Sequence, residues 1–200
     1  MLKILLYIFL LNYASFWAIC SNAAADTNQN TTPQDTRELI ELGKYKEAEE
    51  VIILQLDQKP RDAQWRYLQA LLKAELGLSS QNIDDLNSAV SLFERLSEEF
   101  PELPEPYNNL AVLYDKLGEE QKAIRSFELA ILNNPNYTLA YENLADLYLF
   151  LARKTYLRGI KKNSKNNNRL EAKLNFLKNV PFSSSNSLDL DSLNKEKKTK

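Results

Sequence analysis

The chain has 200 residues, 44% of them hydrophobic and 26% charged, enough for one modest domain with a core of its own. With no histidine, one cysteine (Cys20) and four glycines, it is poorly supplied for Ser-His-Asp or Cys-His catalysis, histidine-ligated metals, disulfides and Gly-rich phosphate loops. The formal net charge of −2 hides an asymmetry: residues 26–150 carry 11 Lys+Arg against 23 Asp+Glu, and residues 151–200 carry 13 against 4.

Residues 1–25 read as a secretory signal peptide. Lys3 supplies a short positive region, Ile4 to Ile19 a mostly apolar run, and Ala23-Ala24-Ala25 a small-residue cleavage site before Asp26. Cleavage there leaves a mature protein without cysteine, and the expected location is the periplasm of a Gram-negative bacterium. Two alternatives stay open: residues 4–19 retained as an inner-membrane anchor, or a lipid on Cys20, although Trp17-Ala18-Ile19 is a poor lipid-attachment context. Residues 26–34 are a linker.

A helical region follows over 35–162. Its first unit, about 35–62, has a short first helix from about Gln34 to Leu42, then Gly43 and a second helix carrying Ala48 and Ile52 up to Pro60. The second unit, about 63–103, places Trp65, Leu68, Ala70, Leu71 and Leu72 on a helix that Gly77 is expected to end. Ala89, Phe93 and Leu96 lie on the next helix, which Pro101 closes. Pro60 and Pro101 stand further apart than Pro101 and Pro135, so an insertion around LSSQNIDD predicts an unusually long turn.

The third unit, 104–137, is the most regular. Tyr107, Leu110, Ala111 and Tyr114 share a helical face at i, i+3, i+4, i+7; Gly118 ends that helix; Ala123, Phe127, Ala130 and Ile131 share a face of the next, stopped at Asn134-Pro135. The shift that carries Pro101 onto Pro135 also carries Tyr107 onto Tyr141, Leu110 onto Leu144, Ala111 onto Ala145 and Tyr114 onto Tyr148. A fixed period of that size is the mark of a stacked repeat. In the fourth unit, 138–162, Ala152, Tyr156 and Gly159 repeat the second-helix spacing too early and with no glycine between, so the pair is expected to fuse into one helix. Residues 163–200 form a basic tail. Within it Leu170, Leu174 and Leu177 predict a short helix at about 168–180 capping the last repeat, and the remainder is too polar to order itself.

The residues Tyr107, Leu110, Ala111, Tyr114, Gly118, Ala123, Phe127, Ala130 and Pro135 occupy the signature positions of the tetratricopeptide repeat, a family this chain resembles. The wording FPELPEPYNNLAVLY, with NPNYTLAYENLADLY after it, is also similar to exported bacterial members. The resemblance implies an all-α fold: a short tetratricopeptide-type α-solenoid of antiparallel helix pairs, about three to three and a half repeats, with a C-terminal helix and a disordered tail.

It also implies a non-catalytic scaffold or assembly factor that holds a peptide or partner helix in a groove lined by the first helix of each repeat. The groove positions carried over are Gln64, Tyr67 and Leu71; Asn108, Val112 and Asp115; and Glu142, Asp146 and Leu149. Glu142 and Asp146 stand where relatives that clamp acidic peptide tails need Lys and Asn, so a basic or neutral ligand is expected. The acid pairs Asp84-Asp85, Glu98-Glu99 and Glu119-Glu120 read as charges at helix ends rather than as a metal or acid–base site. No catalytic residue, cofactor or metal is expected. The partner is a protein or peptide and not nucleic acid. The alternative is a membrane-associated structural protein, contacting lipid through residues 4–19 or through the basic tail.

Overall fold

In the computed structural model, which describes residues 31–162 and 167–180, eight helices follow one another: α1 (Pro33–Glu41), α2 (Tyr45–Gln58), α3 (Ala63–Ser80), α4 (Ile83–Glu99), α5 (Pro104–Lys116), α6 (Glu120–Asn133), α7 (Thr138–Lys162) and α8 (Asn168–Lys178). No strand occurs among the described residues. The expected signal peptide or anchor at 1–25, and the tail from 181 on, lie outside them.

Local chemistry sets the boundaries. Thr32 caps α1 reciprocally with Asp35: the threonine hydroxyl oxygen accepts from Asp35 N–H, and the Asp35 carboxylate accepts from Thr32 N–H at 2.9 Å. The Thr32 hydroxyl, which also donates to the Asp35 carboxylate at 2.7 Å, and then the Thr32 N–H hold that carboxyl below its ordinary pKa. Asp62 caps α3 by accepting from the N–H groups of Gln64 and Trp65. Pro104 and Pro106 lie in the first turn of α5, where a missing N–H costs nothing.

Gly43 and Gly118 end α1 and α5 with φ of 72° and 77°, and both sites close the same way. After α5 the Glu119 N–H donates to Tyr114 C=O and the Gly118 N–H to Asp115 C=O; after α1 the Lys44 N–H donates to Leu39 C=O and the Gly43 N–H to Ile40 C=O. This pairing consumes the carbonyls that a helix end leaves free.

Gly77 behaves differently from the sequence expectation. It lies inside α3, buried, and the helix runs on to Ser80 before Gln81 takes the left-handed conformation at φ 55°. Its missing Cβ is what the packing uses, because a carbon there would meet Leu86 at 2.8 Å. The insertion also makes no long turn. Only Gln81 and Asn82 separate α3 from α4, and the extra residues lengthen both helices, to 18 and 17 residues.

Chain contacts divide the molecule into two units, residues 1–92 and 93–200, with the division inside α4. In the first, α1, α2 and α3 pack mutually around Ile40, Ala48, Val51, Ile52, Trp65, Leu68 and Leu72. In the second, α5 and α6 form the most extensive pair, α7 packs on both, and α8 lies on α7. Ala111, Ala123 and Ala130 are fully buried there, beside Phe127. Burying a side chain of the size of Phe127 stabilises the fold by about 1.5–3 kcal/mol. Two tyrosine hydroxyls join α5 to the end of α4: Tyr107 donates to Ser97 C=O and Tyr114 to the Glu94 carboxylate. Burial, then the Glu94 contact, pushes the Tyr114 pKa up.

Candidate interaction surface

The nine groove positions fall on three helices. In the first unit, α3 carries Gln64, exposed, and Tyr67 and Leu71, both half-buried against the core of that unit. The Arg37 guanidinium of α1 stands 5.3 Å from the Tyr67 ring centroid, a cation–π contact that fixes this aromatic face.

In the second unit, Asn108 is buried and its Oδ1 accepts from Asn143 Nδ2 at 3.0 Å. That amide pair joins α5 to α7, so Asn108 belongs to the packing of the helices rather than to an open surface. Asn143 is not among the sequence candidates, because it stands one residue out of phase with the repeat of Asn108, which falls on Glu142. Val112, Asp146 and Leu149 are half-buried and Glu142 is exposed.

Asp115 has the most unusual surroundings of the set. Its Oδ1 is buried and accepts no hydrogen bond among the described residues. Desolvation raises its pKa; Lys116 and Lys154 oppose the shift and Glu120 adds to it. Nearby, Lys154 of α7 donates to the Glu120 carboxylate at the start of α6, and that bond lowers the Glu120 pKa. Glu119 and Glu120 are thus engaged at a helix start, with Glu119 paired to Lys122 at 2.5 Å. Asp84 and Asp85 lie in the first turn of α4. Among the described residues, no group of three or more His, Cys, Asp or Glu side chains is placed to hold a metal ion.

Residues 104–137 match the tetratricopeptide repeat family model. The chain carries a tetratricopeptide repeat. Its fold is a tetratricopeptide-type α-solenoid, and it is similar to the structure of TTC0263, a thermophilic tetratricopeptide protein of Thermus thermophilus: TM-score 0.56 at 19% identity, covering 84% of this chain and 95% of that one. Among curated relatives, the photosystem I assembly protein Ycf3 of Synechococcus sp. (strain CC9605) is 33% identical over 75 residues, 36% of this chain and 43% of Ycf3. Tetratricopeptide repeat protein 6 of Homo sapiens is 26% identical over 106 residues, 53% of this chain and 19% of that protein. The chain therefore spans less than half the length of either relative.

Proposed function

We propose that this protein is a non-catalytic interaction scaffold or assembly factor of the bacterial cell envelope. It takes a peptide or helix on the first helices of its second unit, α5 and α7, and there it selects a basic side chain. The observation that carries this reading is Asp115. Its half-buried carboxylate is partly desolvated at a cost, and an incoming ammonium or guanidinium group offsets that cost by charge pairing from the exposed side of the residue. Glu142 and Asp146 on α7 add the same sign of charge, while Val112 and Leu149 offer apolar contact. Ycf3 is by name an assembly protein, which supports an assembly role, and the signal-like residues 1–25 support export to the periplasm.

The test is a pull-down from the native compartment with the mature chain, repeated with Asp115→Asn and with Glu142→Lys/Asp146→Lys. A direct partner is expected to be lost with both variants. A partner retained by both removes the acidic surface from consideration. The N-terminal mass of the native protein is the second measurement. A soluble chain starting at or near Asp26 is expected, and one retaining residues 4–19 in the membrane fraction would mean a tethered protein instead.

A further inference from the structure

The stripe Tyr141, Leu144, Ala145 and Tyr148 on α7 lies one repeat period after Tyr107, Leu110, Ala111 and Tyr114 on α5, with identical residue types. The two stripes differ in what covers them. On α5, Ala111 is 0% and Tyr114 7% exposed, because α6 packs over them with Ala123, Phe127 and Ala130. On α7, Tyr141 and Tyr148 are each 48% exposed and Ala145 is exposed.

The cause is the missing turn. Gly118 reverses the chain after α5, whereas the equivalent position of the next repeat is Ala152, inside a helix that continues to Lys162. α8 covers only the far half of α7. A Cβ at Gly159 would lie 3.1 Å from Leu170, and Lys173 stands 5.9 Å from the Tyr156 ring, so α8 runs antiparallel to α7. By that register Lys178, its last residue, comes level with about residue 151, one helical turn short of the stripe.

We infer that the Tyr141–Tyr148 face of α7 docks a helix from a partner protein, antiparallel to α7, that takes the place of the absent second helix of this repeat. The α5–α6 interface specifies its chemistry. It carries a small residue, an aromatic residue four positions on and a small residue three further, as in Ala123, Phe127 and Ala130. A lysine precedes the first small residue, since Lys122 stands 5.0 Å over the Tyr114 ring. The small residues allow close approach at Ala145, the aromatic side chain fills the space between Tyr141 and Leu144, and the lysine meets Tyr148. A second copy of α7 fits less well. Pairing two copies about Leu144–Ala145 sets Glu142 of one close to Asp146 of the other, two like charges. This face is distinct from the groove positions and stands independently of the function proposed for them.

The probe is a fluorescent peptide of residues 119–134, EEQKAIRSFELAILNN, titrated into the full-length chain and read by anisotropy. Saturable binding is expected, weakened at least tenfold by Ala145→Arg and by Tyr148→Lys and unchanged by Asp115→Asn. A scrambled peptide should not bind. Both weakening substitutions are at exposed positions, and circular dichroism checks that they leave the fold intact. The proposal is overturned by no binding at millimolar peptide, by equal binding of the scrambled peptide, or by binding insensitive to Ala145→Arg. It is also overturned if sedimentation shows a dimer that Ala145→Arg makes monomeric, or if the peptide binds only once residues 181–200 are removed, since a second copy or the chain's own tail would then be the occupant.

Discussion

A methyl group added at Gly77 meets the backbone nitrogen and side chain of Leu86 at 2.8 Å, whereas one added at Gly118 meets nothing within 4 Å. Gly77 is helical, where alanine is otherwise favoured by about 1 kcal/mol, so the close approach alone opposes the substitution. Gly77→Ala is expected to destabilise the chain by about 1–3 kcal/mol, the cost of overpacking. Gly118→Ala is expected to cost about 1–2 kcal/mol through its positive φ. Urea unfolding measures both, and a Gly77→Ala chain more stable than the native one would refute the packing role. Asp115 gives a pH signature. Its folded pKa is raised above the unfolded value, so the folded chain holds that proton more tightly. The contribution of Asp115 to stability is greatest below the unfolded pKa and falls as pH rises through the folded one. Asp115→Asn should therefore be more stable than the native chain at neutral pH, and that advantage should shrink as pH falls into the ordinary carboxylate range. Urea midpoints taken across this range test it, and an advantage independent of pH would deny the desolvated carboxylate its role.

Among the elements, α7 departs most from the repeat. Its inner line of Ala140, Asn143 and Leu147 is buried, Lys154 further along reaches Glu120, and nothing at Ala152 breaks the hydrogen-bond ladder. Ala152→Gly places a glycine at the turn position without the rest of the turn chemistry. The expectation is a loss of about 1 kcal/mol with helix content unchanged, the ordinary cost of a mid-helix glycine. A drop in helical circular dichroism equal to a broken α7 would show a helix poised to fold back. This element was legible in sequence, since the periodic echo placed the first-helix residues and the missing glycine announced the fusion. Gly77 was not legible by the same logic. It stands one full period after Gly43, yet the insertion behind it is long enough to continue the helix, and only tertiary contact with Leu86 distinguishes a turn glycine from a packing glycine. The groove was readable as a set of positions but not as a surface. Asn108 looks available until Asn143, one residue out of phase, is seen to face it. The burial that sets Asp115 apart depends on surroundings that the period does not report.

Across the whole molecule, stability in a stacked repeat is the sum of what each helix pair holds and what each neighbour adds. Such a chain has no single core whose loss unfolds everything, and a perturbation at one end should fade along the sequence. Leu174 offers the test, because it is only 7% exposed on α8 while Phe176 beside it is 72% exposed, so α8 holds to α7 by a narrow contact. Leu174→Ala removes about 2–5 kcal/mol of local packing by the usual range for a buried leucine. That is comparable to everything holding so short a helix in place. Amide hydrogen exchange should then accelerate through residues 168–178 and along the far half of α7, where Gly159 and Tyr156 lose their cover. The amides of α5 and α6 should keep their protection, and those of α1 to α3 should not change at all. Uniform acceleration over every helix would mean one cooperative unit, and the nearest-neighbour account of this chain would have to be given up.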